Sequence, residues 1–193
     1  MLTIIKNKKG LTLLETTIAL GILMLGILAS LTLMLSSFSY IQTTENEIVV
    51  VNLAREGLEI VRSIRNNNSY KPDSDKTKID IFSGAFDGNG YIVDTVNHNN
   101  LSTQAINVTN INQCNSGDNT ICNLYLTDTG RYTHDPSSGS LSNTKTAFSR
   151  LVTIEASPDN YYEKIITSTV SWQVKGRTRT FKIESRLTDW QAK

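Results

Sequence analysis

One glutamate stands alone at the start of a long apolar run in this sequence, and its position suggests chemistry. Residues 16–44, which follow Glu15, carry no charged side chain. A carboxylate inside an apolar bundle is tolerable only if it is paired with a cation. Three lysines precede it at positions 6, 8 and 9, and Gly10 separates them from the apolar run. The spacing therefore indicates a basic segment, a glycine, and a carboxylate that needs a partner.

The two cysteines are a second pair of candidate residues. Cys114 and Cys122 are the only cysteines in the 193 residues. If they lie outside the cytoplasm, oxidation to a disulfide is favoured over metal binding. The disulfide would close the loop 115–121 and add on the order of 2–3 kcal/mol of stability in the chain-entropy model. Two free thiols are the alternative.

Catalytic and metal-binding patterns are weak. Residues 128–130 (Asp-Thr-Gly) match the triplet of aspartic proteases, but such enzymes need two carboxylates in one site, and the sequence has no second copy. His98 and His134 are expected in polar loops and belong to no metal-binding motif. Residues 87–90 (Asp-Gly-Asn-Gly) begin like a calcium loop but lack its closing glutamate. We expect no enzyme activity, metal, cofactor or small-molecule substrate.

The charge of the chain is nearly balanced, with 19 basic and 18 acidic residues. No basic patch stands out, so the composition gives no support to nucleic-acid binding. The length suits one domain in addition to the N-terminal segment.

Two common explanations of the apolar run are a signal peptide and a membrane anchor. A signal peptide has an apolar core of ~7–15 residues and a small-residue cleavage site; this run is longer, and only residues 28–30 (Leu-Ala-Ser) faintly resemble such a site. A single-span anchor fits the length, since ~20 residues cross a membrane, and the lysines place the N-terminal end in the cytoplasm. Glu15 fits neither, because an ionised carboxylate there is costly and usually marks a function or a partner.

One helix is predicted over residues 11–66, because no proline interrupts them. In its second half, apolar residues recur at helical spacing and form one stripe. The stripe consists of Val50, Leu53, Ala54, Gly57, Leu58, Val61 and Ile64. On the opposite face, Glu59 is spaced to pair with Arg55 and with Arg62. The three asparagines at 66–68 are expected to end the helix, because Asn favours caps and turns.

The last third of the chain predicts an antiparallel meander. Apolar and polar residues alternate over 148–155, 162–174 and 177–187, and turn residues separate the three segments. The apolar stripe of the helix supplies the cover that this sheet needs. The predicted fold class is therefore α+β, with one long N-terminal α-helix packed on a C-terminal antiparallel β-sheet.

The middle of the chain gives weaker signals. A short hairpin is predicted over residues 123–133, because a Thr-Asp-Thr-Gly turn separates two short extended runs. A further turn is predicted at 135–139. Residues 67–122 are predicted to be mainly loop, with short extended pieces around 79–81 and 91–96.

A third explanation of the N-terminal run rests on a resemblance. Lys8-Lys9-Gly10 followed by Leu11-Thr-Leu-Leu-Glu15 resembles the cleavage and methylation motif of type IV prepilins and pseudopilins. The resemblance implies that a prepilin peptidase cuts after Gly10 and N-methylates Leu11, so that Glu15 becomes the fifth mature residue, which the family uses for assembly. Glycine suits such a cut because it lacks a Cβ. Glu15 would then pair with the N-terminal ammonium group of a neighbouring copy.

Two later segments also resemble minor pilins and pseudopilins of the PilV-like group. They are Arg55–Glu59 and the C-terminal meander, with Trp172, the basic hairpin at 176–180 and the closing 187–190 (Leu-Thr-Asp-Trp). Many pilins carry a kinking proline in the apolar half of the helix, and this chain has none there.

The resemblance implies a leader peptide (1–10), a transmembrane and filament-core half of the helix (11–40), an amphipathic half (41–66) and an extracytoplasmic head (67–193). The chain would be a structural subunit, a minor pilin or pseudopilin, serving pilus assembly, secretion or DNA uptake. Its partners would be the prepilin peptidase, other pilin or pseudopilin subunits and the inner membrane, from which it moves into the filament. The alternative is an uncleaved, single-span anchor that displays a binding module or adhesin.

Overall fold

The computed structural model describes residues 12–69, 82, 89–95, 105–106, 108–114, 120–138, 141–174 and 176–189. The chain forms two compact units, residues 1–46 and 47–193. The described part of the first unit is helical. The second unit, which we call the head, contains the rest of that helix and an antiparallel sheet. The predicted α+β class is confirmed.

Helix α1 spans Leu13–Ser69. Thr12 caps its start, because the hydroxyl oxygen of Thr12 accepts a hydrogen bond from the backbone N–H of Glu15 at 3.4 Å. The helix ends slightly later than predicted, and the hydroxyl of Ser69 donates to the carbonyl of Asn66 at 2.6 Å. Asn68 is buried, so packing against the head extends the helix through residues that favour turns in isolation.

A second helix and nine strands follow in the described residues. In chain order they are β1 (Asn89–Tyr91), β2 (Ala105–Ile106), α2 (Ile111–Cys114), β3 (Asn123–Leu126), β4 (Tyr132–Thr133), β5 (Ser137–Ser138), β6 (Leu141–Ser142), β7 (Thr144–Ala156), β8 (Glu163–Val174) and β9 (Arg177–Thr188).

Strand β7 is the centre of the sheet. One of its edges pairs with β1 and with β3, which lie at different positions along β7. On their other edges, β1 pairs with β2 and β3 pairs with β4. Its other edge pairs with β8, which pairs in turn with β9. All of these pairs are antiparallel, and β5 and β6 form a separate two-stranded sheet.

The predicted meander and the predicted short hairpin are both confirmed. Strands β7, β8 and β9 cover the three segments whose alternation predicted them, and β3 and β4 form the hairpin. Gly176 has a φ of 76° in the turn that joins the paired residues Val174 and Arg177. Glycine adopts this left-handed conformation without a steric penalty, so the turn fits its sequence.

The helical stripe packs on one face of the sheet, which we call the inner face. All seven residues of the predicted stripe are buried, and with Ile60 they contact Val152, Ile154, Ile166 and Val170. Helix and sheet approach each other closely at Gly57, where a Cβ would lie 2.6 Å from the hydroxyl oxygen of Ser168. On the exposed face of the helix Glu59 pairs with Arg62, and the predicted Arg55–Glu59 pair does not form between these two described residues.

The opposite, outer face of β7 is also covered, which the sequence did not predict. Val108, Ile111, Cys114 and Cys122 pack against Leu151. The prediction of loop over residues 97–122 is therefore wrong at β2 and α2, because these apolar side chains fold back onto the sheet. Within the predicted extended piece 91–96, the described residues 91–95 are strand only at Tyr91, and the piece predicted at 79–81 lies outside the described residues.

Candidate functional site

The first unit presents an apolar surface on all sides of the helix. We call residues 12–38 the apolar segment; each of them is exposed, and its large apolar side chains are 52–82 % exposed. Soluble monomers rarely expose a contiguous apolar patch larger than a few hundred Å². With a mean hydropathy of 2.5 in its most apolar window, the helix is long and apolar enough to cross a membrane. Such a surface is suited to a covering of lipid or of other apolar helices.

Four hydroxyl groups of the apolar segment are compatible with such an environment. Those of Thr16, Thr17, Ser30 and Thr32 each donate to a backbone carbonyl three or four residues earlier, at 2.7–2.8 Å. In hydrocarbon an unsatisfied polar group costs several kcal/mol. Because the helix supplies acceptors for these four hydroxyls, they do not require a partner from another chain.

Glu15 is different, because no described residue neutralises its charge. The side chain is exposed on the same face as Leu14, Ile18 and Ile22, and it has no ion-pair partner among the described residues. It lies in the first turn of α1, where a negative charge interacts favourably with the helix dipole by about 0.3–1 kcal/mol. That interaction does not neutralise the carboxylate. An apolar covering of this face would therefore leave a charge to be compensated from outside the helix.

Two of the predicted site residues lie outside the described residues. These are Gly10 and Leu11, whose peptide bond is the predicted cleavage point. Of the predicted processing and assembly residues, Glu15 is therefore the one that the structure places.

The predicted disulfide is present. Cys114, at the end of α2, is bonded to Cys122, which immediately precedes β3, and their Cα atoms are 5.5 Å apart. Both residues are buried against Leu151. The disulfide therefore ties α2 to the outer face of the sheet.

A fully buried arginine is the main polar feature that the sequence reasoning missed. The guanidinium of Arg150 on β7 lies on the inner face and is 0 % exposed. One of its amino groups donates to the carboxylate of Glu56 at 2.9 Å and to the carbonyl of Leu53 at 3.1 Å, both on α1. The other donates to the carbonyl of Val93 at 2.6 Å, just after β1. Arg150 thus links the helix to two strands of the head.

The strict alternation of β7 is the sequence signal from which the burial of Arg150 could have been predicted. Phe148, Val152 and Ile154 share the buried face of the alternating segment 148–155, and residue 150 has the same parity. Burial lowers the pKa of the Arg150 guanidinium, and Glu56 opposes that shift.

His134 lies in the bend that follows β4, where a polar loop was predicted, but the residue is half-buried rather than exposed. Its ring nitrogens are buried, and its backbone N–H donates to the carboxylate of Asp94, which also accepts the hydroxyl of Thr133. Burial, with a smaller contribution from Arg150, lowers the pKa of His134 to about 3. The ring is therefore neutral near neutral pH and extends the buried polar cluster around Arg150.

The remaining candidates form no catalytic arrangement in the described residues. Asp128 is exposed in the β3–β4 turn. His98 and the first half of the calcium-like segment 87–90 lie outside the described residues, while the last two residues of that segment begin β1. No group of three His, Cys, Asp or Glu side chains able to hold a metal occurs in the part of the chain that the structure describes.

Comparison with known proteins adds no relative. No family model, curated protein or solved structure matches this chain.

Proposed function

We propose that the chain is a structural subunit, a minor pilin or pseudopilin, of a type IV pilus-like filament, and that its apolar segment is the assembly element. The observation that carries the proposal is the combination of a helical surface that is apolar on every side with one unneutralised carboxylate, Glu15, near its start. The resemblance of residues 8–15 to the prepilin motif supports it. The chain is cleaved after Gly10 and methylated at Leu11, and it serves pilus assembly, secretion or DNA uptake.

In this proposal the apolar segment has two successive environments. The bilayer covers it first, and the helices of neighbouring subunits cover it after assembly. Glu15 distinguishes the two, because an ion pair with the terminal ammonium of the preceding subunit compensates its charge only in the filament. The four hydroxyl groups that donate to carbonyls of their own helix can keep these hydrogen bonds in both environments.

Intact-mass measurement of the protein purified from its host tests the processing step. The proposal predicts a mass that lacks residues 1–10 and includes one added methyl group. Expression in cells without a prepilin peptidase is the control, and there the full mass is expected. Retention of residues 1–10 in the native host would contradict the proposal.

A second function, an uncleaved anchored binding module or adhesin, is favoured by one specific observation. Thr12 and Glu15 have the spacing of a capping box, in which a Thr N-cap and a Glu three residues later stabilise a helix start, and the Thr12 half of that arrangement is present. Glu15 would then be a local helix-start residue that needs no second chain. The same mass measurement separates the two functions, because only the anchored module keeps its first ten residues.

A further inference from the structure

The three long strands share one end of the head, which is also the end where α1 enters it. The start of β7 pairs with the end of β8, which pairs with the start of β9. At the start of β9, Arg179 forms an ion pair of 3.2 Å with Glu47, the first helical residue of the head. The β3–β4 turn lies at the same end, because Leu126 pairs with Thr144, the first residue of β7. We call this part of the head the entry end.

The entry end carries an excess of positive charge. Its exposed charged side chains, among the described residues of the head, are four basic and two acidic ones, namely Arg131, Lys145, Arg177 and Arg179 against Glu47 and Asp128. Of the four basic side chains, only that of Arg179 is in an ion pair with a described residue. The opposite end has the reverse balance, with four acidic and three basic side chains, namely Glu155, Asp159, Glu163 and Asp189 against Arg65, Lys164 and Arg186. An anionic surface is therefore attracted to the entry end.

An open groove on the outer face of the sheet adds hydrogen-bond donors to this charge. The groove has a volume of about 320 Å³ and lies beside Cys114. Lys145, Gln173 and Thr178 line it; their side chains are exposed and form no hydrogen bond with described residues. An ammonium, an amide and a hydroxyl can all donate to the same oxygen-rich group. Because charge-assisted hydrogen bonds to phosphate are strong, the groove suits a phosphate group.

The position of the entry end along the chain indicates where such phosphate groups come from. Tyr40 is 74 % exposed and lies near the end of the uncharged run, where aromatic side chains are typical of a membrane–water interface. Seven residues of α1 separate Tyr40 from Glu47, or about 10 Å of helix. The headgroup layer on one side of a bilayer is itself roughly 5–8 Å thick. One carboxylate, Glu45, lies between them and reduces the positive excess without reversing it.

We propose that the entry end of the head binds the headgroups of anionic lipids in the membrane that α1 spans. A headgroup phosphate enters the groove and accepts hydrogen bonds from Lys145, Gln173 and Thr178, while Arg131 and Arg177 interact with the surrounding surface charge. Each basic side chain near an anionic bilayer favours contact roughly fivefold. The inference rests on the membrane stage of the proposed function, and it applies equally to the filament subunit and to the anchored module.

For a filament subunit, this binding has a consequence for assembly. Lipid headgroups hold the head on the bilayer while the apolar segment is still in the membrane. The contact has to be given up when the subunit leaves the membrane, so it opposes extraction. In an anchored module the same contact is permanent and fixes which end of the head faces away from the membrane.

Fluorescence quenching of the full-length protein in lipid vesicles tests the proposal. Vesicles of phosphatidylcholine, alone or mixed with phosphatidylglycerol, contain a lipid with a nitroxide on its headgroup as quencher. A fluorophore on Thr180→Cys reports the entry end, and one on Thr188→Cys reports the opposite end of the same strand, about 26 Å away. Both threonines are exposed, and the natural cysteines are joined to each other. We expect phosphatidylglycerol to increase quenching at position 180 and not at 188, and high salt to reverse the increase.

Removal of charge at either end of the head provides matched variants. Lys145→Gln with Arg177→Gln should lower the ratio of bound to free heads on the order of 25-fold, since two basic side chains are lost, and quenching at position 180 should return to its value in phosphatidylcholine. Lys164→Gln with Arg186→Gln removes the same charge from the opposite end and should leave quenching unchanged. Equal effects of the two double variants would refute a site at the entry end.

The other outcomes separate the inference from the membrane stage on which it rests. Flotation with phosphatidylcholine vesicles measures insertion of the apolar segment by itself, and protein that does not float contradicts both. Protein that floats but shows no quenching at position 180, or the same quenching with and without phosphatidylglycerol, overturns the lipid site alone. Equal quenching at positions 180 and 188 in the mixed vesicles also overturns it, because the head then has no preferred end toward the bilayer.

Discussion

Replacement of Arg150 by methionine should destabilise the head strongly. Methionine keeps much of the side-chain volume but removes the donors to Glu56 and to the carbonyls of Leu53 and Val93. Removing one partner of a buried ion pair costs about 3–5 kcal/mol, because the other partner and its acceptors are left unsatisfied. The side chain of Glu56 is 31 % exposed and can regain water. We therefore expect about 3 kcal/mol, at the lower end of that range.

Urea unfolding of the full-length protein in detergent measures this cost. Trp172 is buried in the inner core, so its fluorescence reports separation of the helix from the sheet, and a Trp190→Phe background makes it the sole tryptophan. Arg62→Met is the matched control, because it removes an exposed ion pair to Glu59, which we expect to change stability by no more than about 1 kcal/mol. An Arg150→Met variant as stable as the Arg62→Met control would refute the reasoning that Arg150 links helix and sheet.

Three further effects on stability follow. His134 has a pKa of about 3 in the folded head, against ~6.5 in an unfolded chain. Unfolding therefore takes up a proton between these pH values, and the free energy of unfolding should fall by about 2 kcal/mol from pH 7 to pH 5. His134→Gln should flatten this pH dependence in urea titrations. Gly90→Ala would place a Cβ 2.0 Å from the carbonyl oxygen of Val108 and should cost at least about 2 kcal/mol, whereas Gly26→Ala, with nothing within 4 Å, should leave the melting temperature of the head unchanged. Reduction of the disulfide, or the double variant Cys114→Ser and Cys122→Ser, should lower stability by on the order of 2–3 kcal/mol in the chain-entropy model, and an unchanged urea midpoint would contradict that contribution.

The sequence predicted the elements whose pattern is local. The stripe from Val50 to Ile64 and the alternation of β7, β8 and β9 are periodic over short windows, and all became the inner core. The disulfide was predicted because the two cysteines are close in sequence and were expected outside the cytoplasm, where oxidation is favoured. Glu15 was identified because it interrupts an uncharged run.

Features that depend on distant partners could not be predicted in the same way. Arg150 is tolerated in the core because acceptors arrive from α1 and from Val93, two residues after β1, both far from Arg150 in sequence. Gly90 is required because the carbonyl of Val108 approaches it. The cover over Leu151 brings residues 108–114 together with Cys122, and the disulfide joins these two segments. Each of these requires the tertiary arrangement, which periodicity does not encode.

The most direct test of the assembly role asks whether the chain enters filaments and whether Glu15 is needed. Filaments sheared from host cells would be probed for wild-type protein, for Glu15→Gln and for Glu45→Gln, which neutralises the next carboxylate along the same helix. We predict that wild-type protein and Glu45→Gln occur in the filaments, while Glu15→Gln is processed but remains in the membrane fraction. Normal incorporation of Glu15→Gln, or the absence of wild-type protein from the filaments, would contradict the account.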